Sequence, residues 1–163
     1  VGYVGGFQIA MGADILIAHP ESKLSVMEIK WGLIPDMSAS QTLRDLVRLD
    51  IAKELTFTGR VVNAEEAMSL GLVTRLDEEP VSAALAMAHD IAGRSPDAIT
   101  YGKYLLNHGW HGSDSDGLRL EEKLQGRILG KDNQTEAVMS GMEGRPGKFN
   151  PRQIETFEDI GNL

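Results

Sequence analysis

Cysteine is absent from the chain, which removes disulfides, thiolate nucleophiles and cysteine metal sites together. The absence suits a reducing compartment, and the expected location is cytoplasmic, or mitochondrial or peroxisomal in a eukaryote. Long apolar runs are also missing. None approaches the roughly 18 residues of a membrane-crossing helix, and no signal peptide is visible. Positive charge is scarce: 16 Lys and Arg stand against 24 Asp and Glu, a net charge of −8. That balance argues against a general nucleic-acid or membrane-surface binder, although a small anionic ligand can still be held by local lysines or helix termini. Repeats and low-complexity segments are not found. With 163 residues, 42% hydrophobic and 25% charged, the chain suits one soluble domain with a sizeable core.

Two nucleotide-binding signatures are lacking as well. The chain opens VGYVGGFQIAMGAD, Val1 to Asp14. Its glycines fall as Gly2-x-x-Gly5-Gly6, not as the dinucleotide fingerprint, and no Gly-Lys-Ser/Thr phosphate loop exists. What is present is a Gly-Gly pair where a helix begins. Free N–H groups there can stabilise an oxyanion, and glycine admits close approach of a carbonyl; a plain tight turn is the other reading. Metal ligands are too few. His108 and His111 alone do not make a site, and a calcium loop laid on Asp114 and Asp116 would start on Gly112 and end on Lys123. Residues 112–117 read instead as a polar loop capping the helix that follows.

The first half is rich in Gly and apolar residues, with short strand-like pieces such as DILIA, Asp14 to Ala18. Asn63-Ala-Glu-Glu66 has capping-box spacing and Gly71 follows, which sets a helix over Ala64–Leu70. Further helices are expected over Ser40–Arg48 and Ile51–Thr56. Thr58-Gly59-Arg60 reads as a turn before an extended Val61-Val62, and Leu72–Arg75 as a strand or extended exit. From Glu78 onward the period is helical: Val81–Ala92, Asp97–Asn107, Leu118–Leu129 and Thr135–Met142. The stretch from Gly144 is punctuated by Pro and Gly and is expected to be mobile.

Glu28 sits in LSVMEIKWGLIPDMSAS, Leu24 to Ser40, in an otherwise apolar surround. A carboxylate in such a surround is suited to proton transfer. Asp36 follows eight residues later, and either caps the next helix or takes part in chemistry. Trp31, beside Gly32, either lines an acyl pocket or fills the core. Met11, Met27 and Met37 read as fillers that an acyl tail could also lie against.

GYVGGFQIAMGADILIA, VMEIKWGLIP and AKELTFTGRVVNAEEAMSLGLV, in that order and spacing, resemble the crotonase (enoyl-CoA hydratase/isomerase) superfamily. The resemblance covers about 150 residues and extends loosely to Lys148 and Phe149. It implies an α/β fold, the later part of a ββα spiral followed by helices. Residues 1–76 would belong to the spiral, 77–143 to a helical trimerisation region and 144–163 to a flexible tail. It also implies that acyl-CoA thioesters are the substrates, with no further cofactor and no metal, and a homotrimer or dimer of trimers as the assembly. Leu105, Leu106, Leu118, Leu124, Ile128 and Leu129 are the expected contact residues. The chain would be the C-terminal part of such a protein, and would not work alone.

By that resemblance Gly5 supplies one of two enolate-stabilising N–H groups, with Gly6, Trp31, Gly32 and Pro35 at the substrate. Lys148 and Phe149 fall where coenzyme A is held. The family's hydratases use two glutamates; Gln8 stands in the place of the first and Glu28 in that of the second. Isomerases of the family need the Glu28 carboxylate alone, and the dienoyl-CoA isomerases add an aspartate at the Asp36 place. Catalytic roles therefore fall to Glu28, Asp36 and Gln8. Double-bond isomerisation of the fatty-acid oxidation type is favoured over hydration. The other class of function is a non-catalytic crotonase-like assembly protein.

Overall fold

Asn63 starts a helix as the spacing requires: its side-chain oxygen accepts the Glu66 N–H at 2.8 Å, and Gly71 ends that helix with φ of 91°. This helix, α4 (Ala64–Leu70), is one of eight in a computed structural model that describes residues 2–3 and 5–153. The molecule divides into two compact units, Val1–Ala86 and Met87–Leu163.

The first unit is α/β. Strand β1 (Gly2–Tyr3) leads into α1 (Gly5–Met11); β2 (Ile17–Ala18) and β3 (Lys23–Ser25) follow. A 3-10 turn at Glu28–Trp31 precedes α2 (Ala39–Leu46) and α3 (Leu49–Thr58), and β4 (Val62–Asn63) leads into α4 and β5 (Arg75–Leu76). β3 is the centre of one sheet, parallel to β1 in the register Gly2↔Leu24 and Tyr3↔Ser25, and antiparallel to β4. β2 and β5 form a separate parallel pair. Phe7, Val26, Leu55, Val62 and Leu72 are the largest fully buried apolar side chains of the core between these elements.

Most expected elements are present with ends moved by a residue or two. Of DILIA, only Ile17 and Ala18 pair as strand. The segment around Glu28 is a 3-10 turn, because Gly32 takes the left-handed conformation (φ 68°) and its N–H closes back on Ile29.

Helix α5 (Pro80–Ala92) runs across the boundary of the two units and buries no residue. The second unit holds α6 (Pro96–Gly109), α7 (Asp114–Ile128) and α8 (Asp132–Glu143). Tyr101 and Tyr104 of α6 pack with Leu124 of α7. Leu124, expected at a subunit contact, is only 2% exposed within this core. Leu105 and Ile128 are half-buried against it, while Leu106, Leu118 and Leu129 are exposed. The expected polar loop at 112–117 is instead largely the first turn of α7: the Ser113 hydroxyl caps the Asp116 N–H, and Asp114 and Asp116 suit the positive end of the helix. His108 stacks on Tyr104 with ring centroids 3.8 Å apart. Of the tail expected to be mobile, residues 144–153 are tied to α6 and α8 by hydrogen bonds, and 154–163 lie outside the described residues.

Candidate active site

The sheet register brings the two glutamate-place residues together. Tyr3 pairs with Ser25 in parallel. From Tyr3 the chain turns into α1 and reaches Gln8; from Ser25 it runs three residues to Glu28. Both side chains therefore lie beyond the carboxyl ends of neighbouring parallel strands, where open α/β sheets place their ligands. Gln8 and Glu28 are 1% and 3% exposed. The Gln8 amide donates a short hydrogen bond from Nε2 to Glu28 Oε1. A carboxylate only accepts, so it is the amide nitrogen that faces it. The remaining two oxygens, Gln8 Oε1 and Glu28 Oε2, are buried with no hydrogen-bond partner among the described residues.

Gly59 packs closely against Met27 and Ile29, the residues on either side of Glu28. At the end of α3 its φ is 56°, and a Cβ there would stand 2.9 Å from Ile29 Cγ2 and 3.3 Å from Met27 Cα. Only glycine combines that conformation with that approach. The Gly59 carbonyl accepts the buried Ser25 hydroxyl at 3.1 Å, which ties the end of α3 to β3. Next to it, Arg60 binds Glu54 of α3 and Glu66 of α4 at 2.6 and 2.7 Å. The Arg60 guanidinium holds the Glu54 carboxyl below the usual range. Neither Ser25 nor Gly59 is marked by the sequence as part of a site; a Thr-Gly-Arg turn signals the glycine but not the close packing behind Glu28.

Gly5 opens α1, and a Cβ there would meet Met37 Sδ at 3.0 Å; Gly6 beside it is exposed with open space around it. Met37 and Ser38 both have positive φ, 47° and 67°. Asp36, in the same turn, is exposed, and its carboxylate bonds neither to Glu28 nor to the start of α2. Its carbonyl oxygen accepts the Ala39 N–H at 2.9 Å. Trp31 is 73% exposed, so it is not a core residue. With Leu33, Ile34 and Met37 it leaves an apolar surface on the loop after Glu28, in which Pro35 is half-buried. Met11 is a core filler and Met27 is half-buried. Lys148 and Phe149 belong to the second unit. Lys148 is exposed, with its N–H on Glu136 Oε1 at 2.7 Å, and Phe149 folds its ring over Gly147.

The sequence profile of the family described as enoyl-CoA hydratase/isomerase matches residues 1–152. The short-chain-enoyl-CoA hydratase of Clostridium acetobutylicum is 31% identical over 157 residues, 95% of this chain and 58% of that protein. A protein of the same name from Clostridioides difficile is 33% identical over 139 residues, 84% of this chain and 90% of that one. Among solved structures, a probable enoyl-CoA hydratase/isomerase from Mycobacterium abscessus superposes with a TM-score of 0.88 at 29% identity, covering 93% of this chain and 61% of that one. An enoyl-CoA hydratase from Polaromonas superposes with a TM-score of 0.86 at 26% identity, over 91% of this chain and 59% of that one. The chain thus spans just under three fifths of the length of the Clostridium acetobutylicum relative. With the family's profile running through Gln8, Glu28 and the helices of the second unit, the chain belongs to the enoyl-CoA hydratase/isomerase family of the crotonase superfamily.

Proposed function

We propose that the protein acts on acyl-coenzyme A thioesters and shifts the double bond of an enoyl or dienoyl chain through a stabilised thioester enolate. Glu28 takes a proton from one carbon of the enolised chain and returns it to another. The buried Gln8–Glu28 pair carries this reading. An amide is not a proton-transfer group at neutral pH, so only one side chain of the pair can act as acid or base. A shuttle between two carbons needs one such group, whereas hydration by two carboxylates needs two. The Gly5 N–H serves as an oxyanion donor for the thioester oxygen. Gly6, Trp31, Gly32 and Pro35 border the acyl chain. Lys148 and Phe149 contact coenzyme A, the lysine as a cation for its phosphates. Asp36 acts only on a dienoyl chain, where protons travel farther. The intact protein is a homotrimer or a dimer of trimers.

A second reading is addition of water to a 2-enoyl-CoA. The relatives are named hydratases, and the two buried acceptors without partners suit a molecule with two protons to give. In it, Gln8 would orient the water and Glu28 alone would move the protons. The test is the product formed by the full-length protein from 2-enoyl- and 3-enoyl-CoA. Isomer without 3-hydroxyacyl-CoA supports the first reading, and 3-hydroxyacyl-CoA as the main product replaces it by the second. Neither product leaves the non-catalytic assembly protein.

A further inference from the structure

Ser25 places a hydroxyl in the core of the first unit. It is 2% exposed, between Leu24 and Val26, which are buried as well. A hydroxyl in such a place costs stability unless it is bonded, whereas a methyl group does not. The Ser25 hydroxyl is bonded: it donates to the Gly59 carbonyl at 3.1 Å, across 34 positions of sequence.

The two ends of Ser25 lead to the two members of the buried pair. Its backbone pairs with Tyr3 of β1, the strand that runs into α1 and Gln8. Its side chain ties down the end of α3, where Gly59 sits against Met27 and Ile29. The segment that carries Glu28 has few ties of its own. It is a single 3-10 turn, a short and poorly bonded kind of helix, and Met27 at its start gives no side-chain cap. The turn's backbone bonds run from Lys30 to Met27, from Gly32 to Ile29 and from Leu33 to Glu28. These shape the turn without fixing where it stands beside the sheet. α3 packs against it, and the Ser25 bond fastens the end of α3 to β3. Proton transfer is sensitive to such placement: a shift of about 1 Å can cost roughly 10²-fold in rate.

Resting on the reading of Glu28 as the proton-transfer group, we infer that Ser25 is a positioning residue, whose hydroxyl fixes the end of α3 against β3 and so sets where Glu28 meets the reacting carbons. It acts through Gly59 and the residues on either side of Glu28, not on the substrate. Its loss should therefore lower kcat and leave KM nearly unchanged.

The experiment follows 3-enoyl-CoA, unlabelled and deuterated at C2, through the full-length protein and its Ser25→Ala, Glu28→Gln and Asn63→Ala variants. Asn63→Ala removes the α4 cap in the same unit, a loss of stability at a bond separate from Ser25. We expect Ser25→Ala to lower kcat about tenfold per folded molecule, with KM within about twofold and an isotope effect on kcat at least as large as in the unmodified protein. Asn63→Ala should keep kcat within about twofold. The positioning role is overturned, while Glu28 keeps its own, if Ser25→Ala lowers kcat no further than Asn63→Ala does, raises KM as much as it lowers kcat, or shows a smaller isotope effect. If Glu28→Gln turns over at the unmodified rate, or the unmodified protein forms no isomer, the reading of Glu28 falls and the inference with it. Should Ser25→Ala fail to fold, Ser25→Cys decides in the same way, since it nearly keeps the volume and leaves only a weak donor.

Discussion

At the scale of single residues, the amide at position 8 separates this chain from a two-carboxylate site. Gln8 and Glu28 are buried against each other and joined by the amide's hydrogen bond. Gln8→Glu would restore a second acid/base group at the cost of placing two carboxyls in contact. We expect that variant to add water to a 2-enoyl-CoA faster than the unmodified full-length protein, measured as 3-hydroxyacyl-CoA formed per minute; an unchanged or lower rate contradicts the role given to the amide. Glu28→Gln should lower isomerisation by roughly 10²–10⁴-fold, the usual worth of a positioned proton-transfer group. The pair was legible from the order of the motifs. Its hydrogen bond was not, because twenty residues separate its partners and only the parallel pairing of β1 with β3 closes that gap.

At the scale of elements, turn chemistry and helix caps carried most of the fold. Asn63 and Gly71 fixed α4 because a cap is a local interaction, readable within four residues. The start of α7 was misplaced because Ser113, an equally good cap, stands in a run of polar residues that also reads as a loop. The docked segment at 145–153 was hidden behind its Pro and Gly content, since what holds it are Asp97 and Asn133, far away in sequence. Gly59→Ala should destabilise the first unit by about 1–3 kcal/mol, through left-handed strain and contact with Ile29. The midpoint of urea unfolding measures this, and an unchanged midpoint contradicts the packing behind Glu28. Glu136 gives a pH prediction. The hydrogen bond from Arg145, then that from the Lys148 N–H, lower its carboxyl from 4.5 to about 2. Its hold on the segment is complete above the ordinary carboxylate range and is lost as the pH falls toward about 2. The Lys148 amide proton should shift along that lower titration in NMR spectra. A midpoint at an ordinary carboxylate value would refute it, and Glu136→Gln should abolish the shift.

At the scale of the whole molecule, α6 and α7, with the residues that directly follow them, leave Leu106, Trp110, Leu118 and Leu129 between 57% and 67% exposed. Large apolar side chains in such number on two helices and their ends call for a covering surface. Sedimentation of the full-length protein should give a trimer or hexamer, and Leu118→Glu should shift the mass downward. A monomer at every concentration contradicts the assembly. The central claim is that one carboxylate, Glu28, carries a proton between two carbons of an acyl-CoA chain. Its most direct measurement follows deuterium. A 3-enoyl-CoA labelled at C2 is turned over by the full-length protein, and the 2-enoyl product is analysed for label at C4 during the first turnovers. A single shuttle predicts that part of the deuterium reappears at C4, and that Glu28→Gln removes the reaction. Complete loss of label to solvent, product from Glu28→Gln at the unmodified rate, or 3-hydroxyacyl-CoA as the only product would contradict it.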